Sequence, residues 1–146
     1  MKIIVDGDAC PVKDIILQIS KEYSISTVFI VSINHILSAN DGIEIKYCDN
    51  YSQSVDIEIV NTVSKGDIVV TNDYGLASLV ISKNCYCISP KGNIFNKDNI
   101  DNYLLRRHIS MIERKKGTKT KGPKKRNKQD DIRFKEGLIK LIEKIN

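Results

Sequence analysis

The chain has 146 residues, 41% of them hydrophobic and 28% charged, with a formal net charge of +5 at pH 7. These values suit a single globular domain, residues 1–146, with a core of its own. No run approaches the roughly 18 apolar residues of a membrane span, and the first residues lack the basic segment and cleavage site of a secretory signal. We therefore expect a cytoplasmic protein without a membrane partner.

The first predicted element is a strand at residues 3–5, IIV, which leads into a helix across an acidic turn. Proline suits the first turn of a helix, and from Pro11 onward the apolar residues recur at helical spacing. These residues are Val12, Ile15, Ile16, Ile19 and Tyr23. Two further strands are predicted at residues 27–32 and 43–48, so the chain opens with alternating strands and helices.

The middle of the chain continues this alternation. Residues 54–65 predict a helix with an apolar stripe, and residues 67–71 predict a buried strand. The inward face of the next helix is expected at Leu76, Ala77, Leu79 and Val80. Residues 85–89, CYCIS, form the last predicted strand. Strands that alternate with helices pair in parallel through crossovers, which predicts a three-layer α/β domain with a mainly parallel sheet between helices.

After Pro90 two helices are predicted, at residues 99–114 and 130–145, and a basic loop joins them. Each helix has apolar residues at helical spacing, which predicts an inward stripe: Ile100, Leu104, Leu105, Ile109 and Ile112 in the first, and Phe134, Leu138, Leu141, Ile142 and Ile145 in the second. This loop, residues 114–128, contains nine Lys or Arg and no acid, so subtracting nine from +5 leaves −4 for the rest of the chain. It is either a solvated connector or a surface for a polyanion, most simply a nucleic acid, with RNA as the first expectation. The residues expected to bind nucleic acid are Arg114, Lys115, Lys116, Lys119, Lys121, Lys124, Lys125, Arg126 and Lys128.

Aspartates follow two of the predicted strands. Asp6 and Asp8 come after the strand at 3–5, and Asp73 comes after the strand at 67–71. The carboxyl ends of parallel strands meet at one edge of a sheet, where α/β folds bind their ligands. We therefore expect these carboxylates to converge, and their like charges would repel unless a cation lay between them.

A fourth aspartate, Asp56, points between the directions of Val60 and Val63 on the apolar stripe of its predicted helix. A carboxylate there needs a partner, so we expect it to join the same cleft, with at least three acidic side chains near enough to share one ion. Oxygen ligands without histidine or cysteine suit Mg²⁺ or Mn²⁺. Taken singly, Asp8, Asp56 and Asp73 are also ordinary residues for the start of a helix.

The remaining titratable residues fit a site less well. Asp67 precedes its strand, which predicts a structural role at the opposite edge of the sheet. His108 shares a helical face with Leu104 and Ile112, which predicts a partly buried, hydrogen-bonded side chain. The four cysteines form no C-x-x-C pair, which favours buried free thiols over a zinc site.

Four segments of the sequence resemble a known family. They are DGDACPV near the start, SVDIEI around Asp56, GDIVVTNDYGLAS in the middle, and GPK followed by D-x-x-x-F near the end. Together they are similar to the bacterial YaiI/YqxD family, a PIN-like group. One difference is Gly7, since the family more often has alanine at this position, and we expect the difference to be harmless.

The resemblance implies a PIN-like α/β fold, whose better-known relatives are metal-dependent ribonucleases. Those relatives have acids at the end of the first strand, on an internal helix, and in a strand-Thr-x-Asp turn. In this sequence the matching catalytic positions are Asp6, Asp56 and Asp73, with Asp8 and Thr71 as neighbours.

Our leading hypothesis is a Mg²⁺- or Mn²⁺-dependent nuclease that hydrolyses phosphodiester bonds in RNA or another single-stranded nucleic acid. Asp6, Asp56 and Asp73 would hold the metal ion, which activates a water molecule and neutralises charge on the phosphate. The basic loop would bind the backbone without sequence preference. Tyr51 and Tyr74, near strand ends, are candidates for stacking on bases.

Two alternatives remain open at this point. The first is a non-catalytic nucleic-acid-binding or ribosome-associated protein that has the same fold and basic loop. The second, minor alternative is aspartate-based phosphotransfer, in which Asp6 attacks phosphorus and Asp8 acts as acid or base. That chemistry also expects an acidic pair after a later strand, whereas Asp67 precedes its strand.

Overall fold

The computed structural model describes residues 1–8, 10–33, 43–49, 53–119 and 124–146. In chain order, the strands and helices of these residues are β1 (Lys2–Asp6), α1 (Lys13–Tyr23), β2 (Ser26–Ser32), β3 (Glu44–Cys48), α2 (Ser54–Thr62), β4 (Ile68–Val70), α3 (Tyr74–Ser82), β5 (Tyr86–Ile88), β6 (Ile94–Phe95), α4 (Ile100–Lys115) and α5 (Lys128–Ile145). None of the helices in this part of the chain is long and apolar enough to cross a membrane.

The strands form one sheet in the order β3-β2-β1-β4-β5-β6. Every pairing is parallel except that of β5 with β6. From β1 the chain moves outward through α1 to β2 and β3, and α2 then returns it across the sheet to β4. The connections of β1 and β4 therefore leave in opposite directions, which marks the place where open α/β sheets bind ligands.

Helices cover both faces of this sheet, as predicted. Alternate residues of a strand point to opposite faces, so Ile4 packs with α2, α3 and α4, whereas Ile3 and Val5 pack with α1 and α5. The residues of α5 that helical spacing predicted as apolar and inward include Phe134, Leu138, Leu141 and Ile142, and all of these are buried. The three-layer α/β class is thus confirmed.

The prediction that residues 85–89 form the last strand is wrong, because β6 follows and returns antiparallel to β5. The chain turns at Gly92, whose φ is +88°, and Gly92 N donates to Ser89 O at 2.9 Å. A Cβ atom at Gly92 would lie 2.6 Å from the backbone carbon of Arg133 in α5. Glycine is therefore required both by the turn and by the close approach of α5.

The apolar stripe of α4 is only partly buried, which corrects the sequence-based prediction. Ile100 is buried, but Leu105 and Ile109 are 56% and 47% exposed, and His108 is exposed as well. Leu79 of α3, expected on the inward face, is 51% exposed. Helical periodicity identifies a stripe but does not reveal how far along the helix the core continues.

The bounds of the basic loop also differ from the prediction. Helix α4 continues to Lys115, and α5 begins at Lys128, two residues earlier than expected. The earlier start has a local cause, since Asn127 Oδ1 accepts from Asp130 N at 3.0 Å and Asp130 Oδ2 accepts from Asn127 N at 3.0 Å. This reciprocal capping box satisfies two backbone donors at the beginning of α5.

The predicted structural role of Asp67 is confirmed. Its carboxylate accepts hydrogen bonds from Lys2 N at 3.0 Å and Ser64 N at 2.8 Å, and it is buried at the end of the sheet where β4 begins. All four cysteines are free. Cys85 and Cys87 are buried as predicted, whereas Cys10 and Cys48 are only partly buried, which corrects the prediction for these two.

Candidate functional site

Threonine 71 connects the ends of the two central strands. Residues Val5 and Val70 are paired in the sheet, so the residues that follow them emerge side by side. Thr71 Oγ1 donates to Asp6 Oδ2 at 2.9 Å and accepts from Asp73 N at 3.1 Å. The buried Thr71 hydroxyl therefore links the side chain of Asp6, at the end of β1, to the backbone of the turn after β4.

Asp8 lies near the end of the neighbouring strand β2. Gly7 N donates to Ile30 O at 2.8 Å, and Asp8 Oδ1 accepts from Ser32 N at 3.0 Å. The chain at Gly7 is so close to β2 that a Cβ atom would lie 2.3 Å from Val31 Cγ1 and 3.1 Å from Ile30 O. Alanine at this position would therefore require Val31 to move, whereas the glycine of this chain fits without a shift.

Asp56 and Asp73 form the second part of the cluster. Asp73 is the N-cap of α3, where its Oδ1 atom accepts from Leu76 N at 3.2 Å, and Asp56 lies half-buried in the first turn of α2. Both side chains line the same cleft. Arg107 of α4 completes the group, with Nη1 at 3.6 Å from Asp73 Oδ1.

Arg107 was not identified from the sequence. The available signal was its position four residues after Tyr103, because residues i and i+4 share one helical face. Tyr103 packs against the core, so its face of α4 is directed toward the domain. Nothing in the sequence by itself connects that face to Asp73.

The four aspartates influence one another electrostatically. Burial is the main cause that raises the pKa of Asp6 from 3.8 to about 6. The hydrogen bond from Thr71 lowers this pKa, and the charges of the other three aspartates raise it. Burial also raises the pKa of Asp56, followed by the charge and the hydrogen bond of Asp73. Asp6 thus lies near enough to the other three aspartates for their charges to raise its pKa, and their assignment to one site stays a prediction.

The cluster offers oxygen ligands but does not form a closed metal site. Among the described residues, no group of three or more His, Cys, Asp or Glu side chains is placed to hold a metal ion. The expectation that three acidic side chains would be near enough to share one ion is therefore not met by their positions here. The donor chemistry still fits Mg²⁺ or Mn²⁺, because both ions prefer oxygen ligands and a partly hydrated cation would neutralise the charges of the neighbouring carboxylates.

Two clefts adjoin the Asp73–Arg107 ion pair. The first, which we call the α2–α3 cleft, has a volume of about 470 Å³ and is lined by aliphatic side chains of both helices together with Asp56, Asp73 and Arg107. The second, the strand-edge cleft, has a volume of about 540 Å³. It is lined by Asp6, Asn72, Asp73, Tyr74 and Arg107. The acidic cluster is therefore accessible from two sides.

Of the two tyrosines considered for base stacking, Tyr51 lies outside the described residues. Tyr74 lines the strand-edge cleft, and its ring packs against Phe95 and Tyr103 at centroid distances of 5.6 and 5.2 Å. The Tyr74 ring is therefore held in place by packing against two other aromatic rings.

The basic residues at 114–128 differ in their surroundings. Lys121 lies outside the described residues. Arg126 binds within the chain, with Nη1 donating to Pro90 O at 2.7 Å and Nη2 donating to Asp131 Oδ1 at 2.7 Å, so its guanidinium is largely used in holding α5 to the end of β5. The exposed residues of the set are Arg114, Lys115, Lys116, Lys119, Lys124, Lys125 and Lys128.

Comparison with known proteins gives a family over nearly the whole chain. Residues 4–144 match the DUF188 family, described as "Uncharacterized BCR, YaiI/YqxD family". The chain is 49% identical over 144 residues to a UPF0178 protein of Clostridium tetani, covering 99% of this chain and 98% of that protein. It is 46% identical over 142 residues to a UPF0178 protein of Clostridium kluyveri, covering 97% and 93%.

The crystal structure of Rae1 (YacP) from Bacillus subtilis is similar to this chain, at a lower sequence identity. The TM-score is 0.46 at 14% sequence identity, and the match covers 99% of this chain and 93% of that chain. The PIN-like character stays a prediction of the sequence resemblance. The family itself is shown by the match over residues 4–144 and by the identities with its bacterial relatives, and the chain belongs to the YaiI/YqxD family.

Proposed function

We propose that this protein is a nuclease that depends on Mg²⁺ or Mn²⁺ and hydrolyses RNA or another single-stranded nucleic acid. The observation that carries the proposal is the convergence of Asp6, Asp56 and Asp73 beside the switch point of the sheet, with the pKa of Asp6 raised to about 6 by burial, an effect that its acidic neighbours reinforce. Perturbed carboxylates in an accessible cleft are typical of catalytic sites.

Asp6, Asp56 and Asp73 would hold the ion directly or through water, with Asp8 beside them. When bound, the ion supplies an activated water molecule and neutralises charge on the phosphate. Thr71 orients Asp6 through its 2.9 Å hydrogen bond. The Arg107 guanidinium, already near Asp73, is suited to bind a phosphate oxygen as negative charge develops there.

The exposed lysines and arginines of residues 114–128 would contribute affinity for the nucleic-acid backbone. Phosphate contacts of this kind position a strand without reading its sequence. The partner in this proposal is therefore a polyanion held mainly by charge, with cleavage confined to the acidic cluster.

The proposal is tested by incubating the full chain with end-labelled single-stranded RNA and DNA in Mg²⁺, in Mn²⁺ and in EDTA. Asp6→Asn and Asp73→Asn should each reduce the cleavage rate by about 100-fold or more, since each removes a ligand of the ion. Asp98→Asn, which changes an exposed aspartate outside the cluster, is the matched control and should cleave as the wild type does. Cleavage that persists in EDTA or in both cluster variants would overturn the proposal.

A second candidate, nucleic-acid binding without cleavage, is favoured by one observation. Among the described residues, no three acidic side chains are placed to hold one ion. Wild-type protein that binds the labelled strands but leaves them intact in both metals would favour this function.

A further inference from the structure

The α2–α3 cleft has a chemical character that the acidic cluster alone does not explain. Ile57 of α2 and Leu79 of α3 both line it, although they are 60% and 51% exposed. Large aliphatic side chains so exposed on two facing helices are removed from water when a flat apolar ligand enters between them. The cleft volume of about 470 Å³ lies in the range of small-molecule sites.

Polar groups of the cleft could fix the orientation of such a ligand. Gln53 and Asn61 line it with side-chain amides, and each amide offers both a donor and an acceptor. Both residues are exposed. A ligand with an apolar face and an edge of donors and acceptors matches this combination, and an unpaired nucleobase has that chemistry.

Charge restricts how a nucleotide could lie in the cleft. Asp56 and Asp73 would repel a phosphate placed between them, whereas Arg107 lines the same cleft and also the strand-edge cleft. A neutral base inside the α2–α3 cleft with its phosphate at Arg107 avoids this repulsion. The same arrangement puts the phosphate beside the acidic cluster.

We propose that the α2–α3 cleft binds one unpaired nucleobase of a single-stranded nucleic acid, with the adjoining phosphate at Arg107. This inference rests on the proposed function, which it deepens by naming a subsite. Ile57 and Leu79 contact the base, Gln53 and Asn61 bond its edge, and Arg107 positions the phosphate for the acidic cluster.

The test compares two labelled single-stranded RNA oligomers of equal length and phosphate number, one with bases and one abasic. Their affinities for the full chain are measured by fluorescence anisotropy in Mg²⁺, with oligomer integrity checked on a gel. The wild type should bind the base-bearing oligomer about tenfold more tightly. Ile57→Ser and Leu79→Ser should each reduce this ratio by about threefold or more, the reduction expected for one apolar contact.

Ile132→Ser is the matched control, because Ile132 is 50% exposed on α5 and does not line the cleft. It should leave the ratio unchanged. The subsite is overturned if both cleft variants discriminate against the abasic oligomer as the wild type does, or if the wild type binds the two oligomers equally. If the wild type binds neither oligomer, nucleic-acid binding itself fails and the subsite fails with it.

Discussion

The chemistry of Asp6 is governed by its place at the end of a buried strand. In the unfolded chain its pKa has the ordinary value of 3.8, whereas burial and the neighbouring aspartates raise it to about 6 in the fold. At pH values between 3.8 and about 6, Asp6 is ionised in the unfolded chain but still protonated in the folded protein. The free energy of unfolding therefore falls as the pH rises from about 4 to 6, and it stays at the lower value above that window.

Replacing Asp6 by asparagine should remove this pH-dependent loss. The asparagine side chain could still accept the hydrogen bond from Thr71, so Asp6→Asn should be more stable than the wild type near pH 7 by up to about 3 kcal/mol in the absence of divalent ions. Near pH 4 the two proteins should differ little. Urea unfolding at a series of pH values measures the difference, and a gap that is constant across pH would show that Asp6 titrates normally.

Gly7 illustrates a close approach that only the three-dimensional structure reveals. We expect Gly7→Ala to destabilise the protein by about 1–3 kcal/mol, because the added methyl group overlaps Val31 Cγ1. The double variant Gly7→Ala, Val31→Ala should be more stable than the sum of the two single changes predicts. Thermal unfolding of the four proteins tests this, and strict additivity would contradict the contact.

At the scale of elements, the proposal assigns nucleic-acid binding to the basic loop and its flanking helix ends, separately from the acidic cluster. Changing Lys115, Lys116, Lys124 and Lys125 to glutamine should weaken single-strand binding. The slope of the logarithm of the binding constant against the logarithm of the salt concentration should become shallower by about 0.7 for each phosphate that the protein no longer neutralises. Affinity measured against salt concentration tests this. A lysine ammonium group has no oxygen ligand for the metal ion, so the affinity for Mn²⁺ should not change.

The control for this experiment removes the same charge elsewhere. Lys97, Lys135, Lys140 and Lys144 are exposed and lie outside the loop, and their change to glutamine should leave most of the salt dependence intact. If the salt dependence of binding falls equally in the two quadruple variants, then binding responds to the net charge of the protein and not to the position of the lysines. No reduction in either would make residues 114–128 a solvated connector.

At the scale of the whole molecule, the sequence predicted what depends on local pattern. Alternating strands and helices indicated the three-layer sheet, and the position of Asp6 and Asp73 after strands indicated their shared edge. Strand β6 was missed because two residues carry no periodicity. Arg107 was missed since its approach to Asp73 depends on how α4 packs on the domain, which helical spacing does not determine.

The arrangement of side chains inside the site was the least predictable part. The sequence indicated four converging acids, but it held no sign that Thr71 would join Asp6 to the backbone of Asp73. It also could not show that burial would be the main cause of the raised pKa of Asp6. Such details depend on register and rotamers, which follow from packing across the whole sheet.

The claim that this acidic cluster binds a divalent cation is tested most directly by anomalous diffraction from crystals soaked in Mn²⁺. We expect an anomalous peak among Asp6, Asp56 and Asp73 in the wild type, and a weaker peak or none in Asp6→Asn crystals. A wild-type crystal without a peak at the cluster, or an equally strong peak in Asp6→Asn, would contradict it.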